Sequence, residues 1–202
     1  FPKKIKTEKV QNMSFLFSKC SSLKEVDISN FNTTNVENMQ SMFEYCTNLS
    51  SIIFPSNFKT GNVKFFNHFF YKCLNLENLD LSNWNTSKAL DMSSMFCGCK
   101  NLSTLILPNN FANNVENLNH TFYNCSSLTD FNIAGWNLTR AKNMSGMLAE
   151  CTGLSNISLP NNFVNDTVKD LSFLFYNCKN IKSLDMTNWN TSPVENMQAM
   201  LY

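Results

Sequence analysis

Residues 36–54 read Val-Glu-Asn-Met-Gln-Ser-Met-Phe-Glu-Tyr-Cys-Thr-Asn-Leu-Ser-Ser-Ile-Ile-Phe, and this pattern returns along the whole chain of 202 residues. Its cysteine, Cys46, belongs to a series of seven whose successive spacings are 26, 27, 26, 26, 26 and 27 residues. A fixed period of this length is typical of a repeat architecture. The series is Cys20, Cys46, Cys73, Cys99, Cys125, Cys151 and Cys178.

Apolar residues lie ten, seven, four and three positions before each cysteine. In the quoted repeat they are Val36, Met39, Met42 and Phe43. At about 100° per residue these positions and the cysteine form one stripe, which predicts an amphipathic helix. Three, six and eight positions after the cysteine a second apolar set ends in strict alternation, which predicts a short strand.

The repeats alternate between two types, which gives a superperiod of two repeats. In one type the strand is followed by an aromatic residue, as in Asp80-Leu81-Ser82-Asn83-Trp84. The other type places a proline after the last inward strand residue and its aromatic residue later, as in Leu107-Pro108-Asn109-Asn110-Phe111. Because proline cannot donate to a strand ladder, we expect it to end the strand. Phe1-Pro2 aligns with Phe54-Pro55, and a last apolar stripe stops before its cysteine: Val194, Met197, Met200 and Leu201. We therefore expect the chain to begin and end within a repeat and to be part of a longer array.

Two segments resemble a known family of repeats. They are Met39-Gln-Ser-Met-Phe-Glu-Tyr-Cys46 and Leu76-Glu-Asn-Leu-Asp-Leu-Ser-Asn-Trp-Asn-Thr-Ser87. Both are similar to the 26-residue leucine-rich repeat of BspA-like bacterial surface proteins, which also occurs in mycoplasma lipoproteins and some protists. The resemblance implies a leucine-rich-repeat solenoid, exposure at the cell surface with an anchor outside this segment, and adhesion to host, matrix or microbial proteins or glycans. It carries over no binding residue, and the proline-bearing repeat departs from the family pattern.

The predicted fold is a single α/β solenoid over residues 1–202, with seven to eight helix–strand repeats. A unit of one helix and one strand cannot bury its stripe alone, so stacked units share a core. We expect parallel strands on a concave face, helices on a convex face and right-handed crossovers.

Composition excludes several functions. Sixteen basic against fifteen acidic residues leave a net charge of +1, which does not favour a nucleic-acid partner. The lysines near the start, Lys3, Lys4, Lys6 and Lys9, are better interpreted as a solvated loop than as a nucleic-acid site. Five glycines and two histidines argue against a phosphate loop and a histidine metal site. No apolar run reaches the ~18–20 residues of a membrane span, and we expect no catalytic residue, metal or cofactor.

The cysteine series has three interpretations. Buried free thiols are favoured, because each cysteine completes an apolar stripe. Disulfides between neighbouring repeats would need Cα atoms about 4.4–6.8 Å apart, and a metal site would need clustered rather than aligned ligands. Cys97 lies off the stripe and is expected to be an exposed thiol. His68 and His120 lie two repeats apart and so cannot form a joint metal site or catalytic pair.

The outward row of the predicted strands is the candidate binding surface. Its members lie seven positions after each cysteine: Asp27, Ile53, Asp80, Ile106, Asn132, Ser158 and Asp185. Exposed isoleucines between carboxylates are unusual for a merely solvated face, although the alternation of two repeat types also explains them. A catalytic carboxylate pair is disfavoured, because the acids lie two repeats apart without a neighbouring base. The sequence thus predicts a recognition module, with a passive spacer that presents another domain as the alternative and the non-catalytic part of an enzyme as a remote one.

Overall fold

The computed structural model describes residues 5–56 and 58–202; Phe1-Pro2, Lys3 and Lys4 lie outside them. Its coils each contain a turn segment before the cysteine and an extended segment after it. Six of the extended segments form strands β1 to β6, in chain order Glu25–Asp27, Ser51–Ile53, Asn78–Asp80, Thr104–Ile106, Asp130–Asn132 and Asn156–Ser158.

The predicted helices are not found among the described residues, since the segments before the cysteines form consecutive four-residue turns. Before Cys73, one turn is closed by the Phe69 N–H bonded to the Phe66 carbonyl at 3.1 Å. The next is closed by the Cys73 N–H bonded to the Phe70 carbonyl at 3.0 Å. The third residue of each turn has positive φ, 59° at His68 and 57° at Lys72, as a type II turn requires.

The turn segments stay extended enough to form hydrogen bonds between coils. His68 N–H donates to the Ser93 carbonyl at 2.9 Å, and Lys72 N–H donates to the Cys97 carbonyl at 2.7 Å. An α-helix bonds its own N–H groups to carbonyls four residues back, whereas these groups bond to the next coil. The inward residues of two such turns fall at the same spacings as a helical stripe, which is why the pattern predicted a helix.

Eight turn segments are joined by a continuous series of parallel bridges. The bridged residues lie eight positions before each cysteine or its equivalent: Asn12, Asn38, Phe65, Asp91, Asn117, Asn143, Asp170 and Asn196. Apart from Phe65, each accepts the N–H of the residue two positions on, as Asp91 Oδ1 does from Ser93 at 2.8 Å. This Asx series fixes where each turn segment begins.

The strands pair in parallel as expected, but they do not form one continuous sheet. They form three separate two-stranded sheets, β1–β2, β3–β4 and β5–β6. Each sheet joins a coil that lacks the proline to the proline-type coil that follows it. The sheets therefore break after Pro55 and Pro108, as expected from the missing N–H of proline and its restriction of the preceding residue. Handedness and curvature stay predictions.

The core lies between the strand face and the turn face. A column of phenylalanine rings three positions before the cysteines stacks from coil to coil, with Phe70 and Phe96 centroids 5.7 Å apart and Phe96 and Phe122 5.3 Å apart. The predicted inward strand residues Val26, Leu79 and Phe131 are buried. These contacts confirm the register read from the cysteines. Among the described residues, no helix has the length and apolar character that crossing a membrane would require.

Candidate functional site

The outward row is exposed as predicted, but the pairing of the strands divides it into separate pairs of residues. Asp27 lies beside Ile53, Asp80 beside Ile106 and Asn132 beside Ser158, each pair in one two-stranded sheet. Asp185 is exposed in the equivalent extended segment, which forms no strand ladder. Ile53 and Ile106 have 55% and 48% of their surface exposed, so two large apolar side chains face solvent at matching places in consecutive sheets.

The Asx members of the row have a local role that the sequence analysis missed. Asp27 Oδ1 accepts the N–H of Ser29 at 2.8 Å, and Asp80 Oδ1 accepts that of Ser82 at 2.9 Å. Asn132 does the same for Ala134 at 3.1 Å, and Asp185 for Thr187 at 2.9 Å. These Asx turns hold each side chain in one orientation at the end of its extended segment. The Asp-x-Ser signature in the sequence was the signal that could have revealed them.

These hydrogen bonds favour the charged carboxylates. The side-chain and backbone hydrogen bonds from Ser82 lower the pKa of Asp80 below its ordinary value, and those from Thr187 do the same for Asp185. The neighbouring Asp130 pKa is also lowered, first by its hydrogen bond from Asn156. The strand face therefore presents fixed, ionised carboxylates beside isoleucine side chains.

The cysteines form a buried ladder. All eight are free thiols, and Cys46, Cys73, Cys99, Cys125 and Cys151 have no exposed surface. The Cys99 Sγ donates to the Phe70 carbonyl of the preceding coil at 3.1 Å, and the same contact recurs at each later coil. The interpretation as buried free thiols is thus confirmed for these five, whereas Cys20 is exposed and Cys178 half-buried.

Cys97 was expected to be exposed, and this was wrong. Only 8% of its surface is accessible. It lies two positions before Cys99 on the turn face, where Tyr71 and Tyr123 occupy the equivalent position of the neighbouring coils. Burial raises the pKa of its thiol to about 11. The residues on either side are large enough to cover it, which the position alone did not indicate.

The thiol ladder predicts a loss of stability in alkali. Burial raises the pKa of Cys99, Cys125 and Cys151 above the ordinary value. Between about pH 9 and 10 the unfolded chain therefore loses thiol protons that the folded chain keeps. The free energy of unfolding should fall by up to ~1.4 kcal/mol per pH unit for each such thiol. Urea titrations at pH 7, 9 and 10 measure this fall.

Single cysteine variants test whether the buried thiols cause this decrease in the free energy of unfolding. Cys125→Ala should reduce the slope, whereas Cys20→Ala should not, because Cys20 is exposed. Equal slopes in the two variants would show that the buried thiols are not responsible.

The two histidines belong to the turn face. His68 packs against Tyr71 with ring centroids 5.2 Å apart, and His120 packs against Tyr123 at 5.4 Å. Burial lowers the pKa of His120. A Cβ on Gly146 of the next coil would lie 2.8 Å from the His120 ring, so this imidazole fills the space that a glycine leaves. Within residues 5–56 and 58–202, no three His, Cys, Asp or Glu side chains are grouped to hold a metal ion.

Comparison with known proteins agrees with this architecture. The family described as "Mycoplasma protein of unknown function, DUF285" matches residues 3–111 and again residues 107–202. The chain belongs to this family. The resemblance to BspA-like leucine-rich-repeat surface proteins is confirmed. No curated protein is similar to the chain in sequence.

One solved structure shows that this chain has the fold of a leucine-rich-repeat protein. The leucine-rich repeat protein TpLRR of T. pallidum has 22% identity and a TM-score of 0.60, over 91% of this chain and 77% of that one. A leucine-rich repeat protein from Eubacterium ventriosum has 17% identity and a TM-score of 0.48, over 88% of this chain and 42% of that one. At 22% identity the likeness to TpLRR concerns the fold alone.

Proposed function

We propose that the chain is a non-catalytic recognition module at the cell surface, which binds a protein or glycan partner through the strand face. The observation that carries this proposal is the exposure of Ile53 and Ile106 beside carboxylates whose orientation is already fixed. Exposed apolar side chains ringed by polar groups are typical of an interaction surface. Preorganised side chains also lose less conformational entropy when a partner binds.

The side chains that recur in every coil are engaged inside the stack, which leaves the strand face free for this role. The thiols, the phenylalanine column and the Asx bridges are engaged within the stack. The outward strand positions differ from coil to coil, whereas the inward positions stay apolar. A surface that varies on a constant scaffold suits recognition better than it suits a spacer.

A strand-face variant tests the proposal. Asp27, Asp80 and Asp185 are changed to Asn, which keeps the Asx oxygen, and Ile53 and Ile106 are changed to Thr. Attachment of the purified protein to host cells or to matrix-coated plates should fall by about tenfold or more, since interface anchors contribute about 1 kcal/mol or more each. Circular dichroism and thermal unfolding establish that the variant is folded.

A turn-face variant provides the control. Leu90→Thr, Glu37→Gln and Glu195→Gln change exposed groups on the opposite side, where the ion pairs of Glu37 with Lys64 and of Glu195 with Lys169 are solvent-exposed and contribute little to stability. Its attachment should match the unaltered chain. If the folded strand-face variant attaches equally well, the strand face is not the binding surface and the spacer alternative is favoured.

A further inference from the structure

Three clefts recur at equivalent places along the strand face, and each lies where one sheet ends. Their volumes are about 830, 230 and 90 Å³. We name them by their tryptophans: the Trp84 cleft follows β2, the Trp136 cleft follows β4 and the Trp189 cleft follows β6. Their spacing is the superperiod of two coils, about 10 Å at ordinary strand separation.

Each cleft has the same two walls. The upstream wall comes from the proline-type coil, and the downstream wall carries a tryptophan and an Asx residue of the outward row. The Trp84 cleft is lined by Phe54, Pro55, Asp80, Asn83 and Trp84. The Trp136 cleft is lined by Leu107, Pro108, Asn132, Gly135 and Trp136. The Trp189 cleft is lined by Leu159, Pro160, Asp185, Asn188 and Trp189. The proline that ends the strand therefore also opens the cleft.

The clefts are wedges rather than gaps between separate bodies. Across the Trp84 cleft the turn segments stay bridged through Asn38 and Phe65, and across the Trp136 cleft through Asp91 and Asn117. Neighbouring coils consequently stay about one strand spacing apart on that side. A peptide strand inserted between the two sheets would need that spacing on each of its sides, about 10 Å in total. The bridges on the turn side therefore limit how far the two sheets can separate, which disfavours insertion of a peptide strand.

The polar side chains in the clefts can form hydrogen bonds with a ligand that carries hydroxyl groups. Asp80 uses one oxygen in its Asx turn, and a carboxylate has about four acceptor positions in all, so capacity for further hydrogen bonds remains. The Asn132 amide oxygen is likewise bonded in its turn, and its NH₂ can donate. The exposed lining of each cleft is more polar than apolar, with Asn and Asp side chains beside a proline and a leucine or phenylalanine, which suits a ligand rich in hydroxyl groups.

Charge restricts the ligand further. The Trp84 cleft contains one charge of each sign, Asp80 and Lys59. The other two clefts contain carboxylates and no basic group, namely Asp130 in the Trp136 cleft and Asp185 in the Trp189 cleft. An anionic polymer running past all three would meet like charges, which disfavours binding.

We propose that the three clefts bind a neutral linear glycan, whose successive units enter successive clefts. This inference rests on the proposed function of the strand face and names its ligand class. The two-coil spacing, about 10 Å, is also about the length of a disaccharide unit in an extended β-1,4-linked chain. The Trp84 cleft, with the largest volume, takes a sugar ring, and the two smaller clefts take ring edges.

Calorimetric titration with cellohexaose and chitohexaose tests the proposal. The hexasaccharide should bind about tenfold or more tightly than the matching disaccharide, because it can engage more than one cleft. A sulfated heparin hexasaccharide should bind more weakly than both. Failure of both neutral hexasaccharides to bind, or tighter binding of the sulfated one, would overturn the proposal.

Variants locate the binding. Asn83→Ala should weaken hexasaccharide binding about tenfold, whereas Asn101→Ala, the same change at an exposed residue outside the clefts, should have no effect. A Cβ on Gly135 would meet nothing within 4 Å, so Gly135→Trp can fill the Trp136 cleft without disturbing the core and should also weaken binding. If neither Asn83→Ala nor Gly135→Trp changes the affinity, the clefts are not the site.

The chemical nature of the partner, glycan or protein, allows this inference to be tested separately from the proposed function. Enzymatic removal of glycans from the target surface should abolish attachment. If attachment instead survives deglycosylation but is lost with the strand-face variant, the partner is a protein: the glycan inference is then wrong while the recognition role of the strand face stands.

Discussion

Phe96→Ala should lower the free energy of unfolding by about 3–5 kcal/mol, the range for truncating a buried phenylalanine. Phe96 has no exposed surface, and its ring stacks on Phe70 at 5.7 Å and on Phe122 at 5.3 Å. The change removes contacts with both neighbouring coils and leaves a cavity in the middle of the column. Because each coil is stabilised by its neighbours, the loss should also weaken the coils beside it.

Chemical denaturation of the unaltered chain and of Phe96→Ala measures this loss. The matched control is Phe65→Ala, because Phe65 is a phenylalanine of the same turn face with 39% of its surface exposed. Phe65→Ala should lower the free energy of unfolding by less than about 1 kcal/mol, as is usual for surface positions. Equal effects of the two substitutions would mean that the phenylalanine column does not form the core.

Gly153→Ala should destabilise the chain by about 1–3 kcal/mol or more, as overpacking does. A Cβ at Gly153 would lie 2.4 Å from the Ser126 carbonyl oxygen of the preceding coil. The obstructing atom belongs to the backbone, so relief requires the two coils to separate. In two other coils the equivalent residue is an asparagine that donates to the same carbonyl position, Asn48 to Ser21 at 2.8 Å and Asn180 to Thr152 at 2.7 Å. The coil of Gly153 lies too close to its neighbour for that side chain.

The control for this substitution is Gly135→Ala. Nothing lies within 4 Å of a Cβ at Gly135, and its φ is not positive. Its free energy of unfolding should stay within about 0.5 kcal/mol of the unaltered chain. Thermal unfolding of both variants compares them directly. A Gly153→Ala protein as stable as Gly135→Ala would show that the coils can separate there at little cost.

The candidate surface was predicted in part from sequence. Counting from the cysteines placed Ile53 and Asp80 on one exposed row, because side chains alternate along an extended segment. The same count did not reveal that Asp80 lines a cleft and Ile53 does not. That difference arises from the break after Pro55, which separates β2 from β3. The proline was recognised as the end of a strand, but its effect on the next coil depends on how coils pair.

The sequence by itself determined the repeat, the inward positions and the superperiod, because burial of apolar side chains imposes its spacing directly on the residue order. Only the tertiary structure decided between helices and turns. An α-helix and a series of four-residue turns direct the same side chains inward, so the spacing of the apolar residues does not distinguish them. Positive φ at residues such as Phe15 and Tyr45 is unfavourable in isolation. Hydrogen bonds to the next coil stabilise this backbone conformation, and those bonds form only once the coils are stacked.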